Sequence, residues 1–194
     1  MGAMAEQLVA AGPAAAALSD FPGWMASQQR RVFLLCLRML GDPDDADTAT
    51  QDVFLKAYRS FEKQDGEIDD LTRWVTRIAV NTCLDKLRSR RWQFWRKRPN
   101  QEDEEVILAM APSTGPDAED KLYAQQIGAR LRTAMERLSE RQRAVFTLRH
   151  FEDLSLDEIA TLLGLDVGTV KAHLARALAK MREDLLDLYE ARRG

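Results

Sequence analysis

The stretch LSLDEIATLLGLDVGTVKAHLARALAKM, residues 154–181, decides the fold of the second half of the chain. Ser155 and Glu158 have the spacing of a capping box, which predicts that a short amphipathic helix begins there. Gly164 is a typical residue for the end of that helix, and a longer helix is predicted from about Val167 to Tyr189. A short helix, a tight turn and a longer helix together indicate a helix-turn-helix, whose second helix enters the major groove of DNA.

The predicted final helix divides into two faces at about 100° per residue. One face is apolar and is predicted to pack the domain: Val170, Leu174, Ala177, Leu178 and Met181. The other is small and basic, so that it can lie deep in the groove, where Ala contacts thymine methyl groups and Lys or Arg reaches guanine or phosphate. The predicted DNA contacts are Gly168, Thr169, Lys171, Ala172, His173, Ala175 and Arg176, with Arg149 ahead of the turn. The alternative for these residues is an ordinary solvated helix surface.

The rest of the chain shows helical periodicity and lacks the alternation of β-branched residues that marks strands. We therefore predict an all-α fold of two helical domains joined by a flexible acidic linker, with the helix-turn-helix in the second domain. Further helices are predicted over Trp24 to Leu40, from Pro43 to about Phe61, through Trp74 and Leu87, through Ile127 and Leu138, and after the capping box at Ser139.

Composition marks the domain boundary. Residues 99–117 hold prolines, a Ser-Thr-Gly step and acids, which is typical of a linker. We predict a flexible N-terminal tail over 1–23, a first domain over 24–98 and a second over 118–190. The net charge of −3 conceals two blocks of opposite sign, because residues 86–98 hold seven basic residues and no acid, whereas residues 100–120 hold seven acids and no base.

Several function classes find no support in the sequence. Cys36 and Cys83 lie in apolar helical patterns rather than in a metal-binding or redox motif, so we expect buried thiols and no metal site or cofactor. A metal-dependent enzyme with Asp42, Asp44, Asp45 and Asp47 as ligands is a second alternative, but these acids suit the N-terminus of a helix. The apolar runs are too short to span a bilayer and the start lacks a basic leader, so we expect a cytoplasmic protein without membrane insertion.

Three further motifs stand out in the second half: LSERQRAVF at 138–146, LSLDEIA at 154–160 and VGTVK at 167–171. They resemble region 4 of the extracytoplasmic-function (ECF) sigma factors, which are subunits of bacterial RNA polymerase. LuxR-type regulators share much of this pattern and are the alternative. The first half favours the sigma factors, since WVTRIAVN at 74–81 with LDKLR at 84–88, and QDVFLKAY at 51–58, resemble sigma region 2.

The resemblance implies a non-enzymatic factor that binds core RNA polymerase at the β′ clamp helices and the β flap, directs promoter recognition and DNA melting for a stress or envelope-response regulon, and is held by an anti-sigma factor. Contacts to the minus-10 element are implied for Trp74, Arg77, Asn81, Lys86, Arg88, Arg90 and Arg91. Contacts to polymerase are implied for Asp47, Gln51, Asp52, Phe54 and Leu55. The chain departs from the family at Thr48-Ala49-Thr50, where an acid and two apolar residues are usual.

Overall fold

The computed structural model of the chain describes residues 20–61, 68, 70–93 and 118–191, and for 90–93, 118–126 and 187–191 it describes the backbone alone. Within these ranges the structure is all helical, as predicted. Its helices are α1 (Phe21–Leu40), α2 (Pro43–Phe61), α3 (Leu71–Gln93), α4 (Ala118–Glu136), α5 (Glu140–His150), α6 (Leu156–Leu163) and α7 (Val167–Ala191). The predicted linker, 99–117, and most of the predicted tail lie outside the described residues.

Helix α1 begins earlier than the sequence predicted, inside the proposed N-terminal tail. The Asp20 carboxylate accepts a hydrogen bond from the Gly23 N–H at 3.0 Å and caps the helix, and Pro22 occupies the first turn, where its missing N–H has no cost. The Phe21 ring packs against Tyr58 and Phe61 of α2, with centroid distances of 5.5 and 5.9 Å. Residues 20–23 therefore belong to the folded helix and not to a tail.

Helices α1, α2 and α3 pack against one another in a first helical group. Gly41 ends α1 with a φ of 76°, a left-handed conformation that glycine adopts without a Cβ clash, and Asp42 then caps α2 by accepting from the Asp45 N–H at 2.9 Å. The core of this group includes Leu35, Val53 and Val75, all with no exposed surface. The two cysteines, Cys36 and Cys83, are free and buried in it, as the sequence predicted.

Helices α4 to α7 form a second helical group in which α7 packs on α4, α5 and α6. Its core includes Leu148, Ile159 and Val170, none of which has exposed surface. Both predicted capping boxes are formed, at Ser139 for α5 and at Ser155 for α6. Because each box satisfies helical N–H groups that would otherwise lack partners, the starts of these helices are fixed locally by sequence.

The two helical groups touch through α1 and α3 on one side and α5 with its following loop on the other. Arg143 of α5 donates from Nη1 to the Met39 carbonyl at 3.0 Å, and the Arg38 guanidinium lies 4.2 Å from the centroid of the Phe151 ring. None of the described helices is both long enough and apolar enough to cross a membrane.

Candidate nucleic-acid and polymerase interfaces

The helix-turn-helix of α6 and α7 is built by local hydrogen bonds. The Ser155 hydroxyl accepts from the Glu158 N–H at 3.2 Å, and Glu158 Oε2 accepts from the Ser155 N–H at 2.7 Å. That backbone hydrogen bond is the main reason that the pKa of Glu158 lies below its usual range. Gly164 ends α6 with a φ of 63°, and Asp166 accepts from the Thr169 N–H at 2.8 Å to begin α7. The angle between α6 and α7 is therefore set by caps on both sides of a short turn.

The outer face of α7 is a narrow strip of small residues with a cation on either side. Gly168 and Ala175 are exposed and Ala172 is half-buried, while Lys171 and Arg176 are exposed at the edges of the strip. At about 100° per residue, the two cations lie about 140° apart around the helix with the small residues between them. Such a surface allows the helix backbone to approach base edges while positive charge reaches the flanking phosphates.

Three residues near this strip have surroundings that the sequence did not predict. Leu178, predicted to pack the domain, keeps 38% of its surface exposed because it lies at the edge of the apolar face. The Thr169 hydroxyl donates to Asp166 Oδ2 at 2.5 Å and so contributes to the helix cap. His173 is half-buried, and burial, with Arg176 and Arg141 nearby, lowers its pKa.

Arg149, predicted to contact phosphate, is exposed at the end of α5. Its Nη1 donates to the Leu154 carbonyl at 3.0 Å, just ahead of α6. This hydrogen bond ties the arginine to the loop that leads into the helix-turn-helix, while the side chain remains accessible to solvent.

The outer face of α3 brings together most of the residues assigned to the minus-10 element. Arg77, Asn81 and Arg88 are exposed, Trp74 is half-buried, and their spacing places all four on one side of the helix. Arg88 Nη1 lies 3.2 Å from Asp85 Oδ1, in a surface ion pair. The Trp74 ring packs against Trp24 with centroids 6.5 Å apart, so its inner edge is part of the core and its outer edge is accessible.

Lys86 does not lie on that face. Its ammonium group is 3.1 Å from Asp52 Oδ2 of α2, so a residue assigned to DNA and a residue assigned to polymerase form an ion pair between two helices of the same group. The side chains of Arg90 and Arg91 lie outside the described residues.

The outer face of α2 carries the residues assigned to polymerase, with one correction. Asp47, Gln51 and Leu55 are exposed, and Gln51 donates to Asp47 Oδ2 at 2.8 Å. Phe54 is instead buried, with 7% of its surface exposed, because its ring packs edge-on against Trp24 of α1 at 6.5 Å. Tyr58 was missed by sequence reasoning. It is 47% exposed and continues the face one turn beyond Leu55, which is 54% exposed.

Two family descriptions match this chain, and they match the two helical groups. Sigma-70 region 2 matches residues 25–93, which hold most of α1 with α2 and α3. Sigma-70, region 4 matches residues 128–181, which hold the helix-turn-helix. A LuxR-type regulator would share only the second match, so the region 2 match disfavours that alternative.

Curated relatives agree with both matches. The RNA polymerase sigma-E factor of Streptomyces coelicolor is 31% identical, with 86% of each chain covered. The ECF RNA polymerase sigma factor RpoE of Cereibacter sphaeroides is 33% identical over 72% of each chain. The ECF RNA polymerase sigma factor SigW of Bacillus subtilis is 27% identical, covering 81% of this chain and 84% of its own.

Among solved structures, the fold is similar to that of the sigma factor RpoE of Bartonella quintana in complex with the anti-sigma factor NepR. The TM-score is 0.62 and the identity 21%, covering 86% of this chain and 96% of the other. The structure of CnrH in complex with the cytosolic domain of CnrY follows, with a TM-score of 0.56 and 23% identity over 86% of this chain and 87% of the other. From these matches, the chain belongs to the extracytoplasmic-function family of RNA polymerase sigma factors, which bind core polymerase and direct it to promoters.

Proposed function

We propose that this sigma factor reads the minus-35 element with the outer face of α7. The observation that carries this assignment is the strip of small residues between Lys171 and Arg176. From Gly168 to Arg176 the helix rises about 12 Å at 1.5 Å per residue. The major groove of B-DNA is about 12 Å wide and admits a helix of about 10–12 Å diameter, and the small side chains of this segment let its backbone lie deep in the groove. Its early residues face base edges and Arg176 faces the backbone.

The outer face of α3 takes the unpaired non-template strand of the minus-10 element in this proposal. Asn81 supplies an amide with both donors and an acceptor for a base edge, and the exposed edge of Trp74 supplies a ring for stacking. Arg77 and Arg88 supply positive charge for phosphates, the part of the contact that carries no sequence information. In this division of roles, Asn81 and Trp74 select the strand and the arginines hold it.

Helix α2 docks on the β′ clamp helices of core polymerase, and the second domain docks on the β flap. The α2 surface suits a protein partner, because Leu55 and Tyr58 are large apolar side chains exposed beside the polar pair Asp47 and Gln51. An apolar centre with a polar rim is the usual composition of a protein interface. We assign the domains to residues 24–98 and 118–190, adding residues 20–23 to the first.

An anti-sigma factor is expected to cover the same apolar α2 surface. One structural neighbour, RpoE of Bartonella quintana, is a sigma factor in complex with the anti-sigma factor NepR, and another, CnrH, is in complex with the cytosolic domain of CnrY. Exposed Leu55 and Tyr58 offer an inhibitor the area that polymerase needs, so that the two partners compete. This regulation suits a stress or envelope-response factor that acts in the cytoplasm by binding and not by catalysis.

Measuring the affinity of variants for core polymerase tests the α2 assignment. Leu55→Glu places a charge at the centre of the apolar surface and should weaken association with purified core polymerase by at least about fivefold, the equivalent of about 1 kcal/mol. Ser60→Glu, an exposed position near the end of the same helix, is the matched control and should bind like the unmodified chain. Equal core affinity for Leu55→Glu and the control would contradict the assignment.

A further inference from the structure

The start of α5 lies against α7. Lys180 of α7 donates from Nζ to Gln142 Oε1 at 3.2 Å and to the Arg137 carbonyl at 3.1 Å, which joins the two helices at this point. Arg141, the second residue of α5, precedes the buried Gln142 and is itself half-buried. His173 lies about two turns before Lys180 on the same side of α7, and so it also faces α5.

Two arginines from different helices flank His173. Burial is the main cause that lowers the pKa of His173, and the positive charges of Arg176 on its own helix and of Arg141 on α5 lower it further. The Nδ1 atom of His173 is buried and has no hydrogen-bond partner among the described residues. An imidazolium would add a third positive charge to the two arginines and would carry a buried N–H without a partner, so the neutral ring is favoured.

These two arginines lack a carboxylate partner. Within the part of the chain that the structure describes, neither Arg141 nor Arg176 forms an ion pair, whereas Arg137, four residues before Arg141, pairs with Asp184. Like charges that are held close together repel one another, and an anion bound beside them removes that cost. A guanidinium binds phosphate through two parallel hydrogen bonds, so phosphate is the anion that these arginines suit best.

The order of residues around α7 sets where Arg141 lies relative to DNA. At about 100° per residue, Arg176 lies about 140° from Lys171 across the strip of small residues, and His173 lies about 60° further round. Beyond His173 comes α5 with Arg141, on the side of the strip away from Lys171. Because the sugar-phosphate backbone borders the groove that the strip enters, Arg141 extends the cationic edge that begins at Arg176 along that backbone.

We propose that Arg141 is a further DNA-binding residue, whose guanidinium binds the backbone phosphate next to the one that Arg176 binds, at the border of the minus-35 element. The neutral ring of His173 packs between the two arginines. This contact comes from α5, outside the helix-turn-helix, so it fixes the position of α7 on the duplex and carries no sequence information. The inference rests on the assignment of the outer face of α7 to the minus-35 element.

Removing the charge of single DNA phosphates tests this contact. Holoenzyme is reconstituted from core polymerase and the full-length chain, either unmodified or as Arg141→Ala or Arg176→Ala. Each binds labelled upstream duplexes of a promoter that the holoenzyme transcribes, in which a methylphosphonate replaces one backbone phosphate at a time, and affinity is measured by anisotropy. Arg182→Ala, the same change at an exposed position of α7 about 9 Å beyond Arg176, is the matched control.

The proposal expects one methylphosphonate that weakens binding of the unmodified holoenzyme about tenfold and leaves Arg141→Ala unaffected, because that variant has already lost the contact. The neighbouring methylphosphonate on the same strand should behave in this way for Arg176→Ala. The Arg182→Ala control should respond to every methylphosphonate as the unmodified holoenzyme does. If every methylphosphonate weakens Arg141→Ala as much as the unmodified holoenzyme, the proposal is overturned.

Salt dependence separates a phosphate contact from a structural role of Arg141. Arg141→Ala should make the slope of the logarithm of the binding constant against the logarithm of salt concentration shallower by about 0.9, and Arg141→Lys, which keeps the charge, should restore it. Arg141→Gln, which keeps most of the length of the side chain, should flatten the slope as Arg141→Ala does without lowering the melting temperature. Weaker binding with an unchanged slope in both neutral variants would show that Arg141 only packs against α7, and would overturn the proposal.

The failure of this inference differs from the failure of the α7 assignment. If Arg141→Ala has no effect while Arg176→Ala flattens the slope, this inference alone is wrong. If neither Arg176→Ala nor Lys171→Ala alters binding, the assignment of α7 to the minus-35 element is wrong as well.

Discussion

Replacing Lys171 and Arg176 one at a time separates base reading from phosphate binding on α7. Lys171 is the fifth residue of the helix, in the N-terminal part that reaches base edges in helix-turn-helix proteins. Lys171→Ala should therefore weaken binding of the holoenzyme to its preferred minus-35 sequence by about 1–3 kcal/mol and relax the preference at one position. Arg176 lies about 7.5 Å further along the axis and faces a phosphate in our assignment.

Arg176→Ala should weaken binding to all DNA sequences alike. The slope of the logarithm of the binding constant against the logarithm of salt concentration should become shallower by about 0.9 for the one lost phosphate contact. The assay is anisotropy of labelled upstream duplexes, matched and scrambled, bound to reconstituted holoenzyme between about 50 and 200 mM salt. Arg182→Ala is the control, because Arg182 is exposed on the same helix but about 9 Å beyond Arg176. Unchanged affinity and slope in both variants, or equal effects in the control, would refute the assignment of this face.

Three further outcomes follow from the structure. Asn81→Ala should reduce permanganate reactivity of the promoter bubble without lowering the melting temperature, since Asn81 is exposed; a normal bubble with a lowered melting temperature would show a structural role instead. Gly164→Ala should cost about 1–2 kcal/mol of unfolding free energy in a urea titration, because the added Cβ meets open space but the left-handed φ is retained; a loss above about 4 kcal/mol would mean that the turn collapses. The contact between the two helical groups should strengthen as pH falls towards the ordinary carboxyl pKa of 4.5, because burial in this contact raises the pKa of Glu152: the neutral form is favoured there, and that contribution is lost as pH rises through the raised value. Energy transfer between dyes on Ser60→Cys and Arg182→Cys, two exposed positions in different groups, checks this when it is measured against pH, with Arg31, Arg38 and Asp153 as the charged groups around the carboxyl; Glu152→Gln should keep the contact and lose the dependence.

The features that sequence predicted well are those determined within one turn of a helix. The capping boxes at Ser139 and Ser155 and the left-handed Gly164 appear where their spacing placed them, because such caps need only residues three or four positions apart. The outer face of α7 was also predictable, since helical periodicity orders side chains around the axis before any packing is known.

The features that sequence did not predict depend on a second helix. Phe54 was assigned to a surface, but α1 supplies Trp24 to cover it, and nothing in the α2 sequence shows that. Lys86 was assigned to DNA by the resemblance of its helix to sigma region 2, but its position turns it towards Asp52 of α2. The docking of the two groups through Arg31 and Glu152 joins residues 121 positions apart, which periodicity and composition do not relate.

The most direct test of the central claim is transcription by purified core RNA polymerase on a library of genomic fragments, with and without this protein. The account predicts discrete transcripts that appear only when the protein is present, whose starts share an upstream and a minus-10 element at constant spacing. It also predicts that the double variant Lys171→Ala with Asn81→Ala loses these transcripts while still binding core polymerase. Transcripts no more specific than those of core polymerase alone would contradict it.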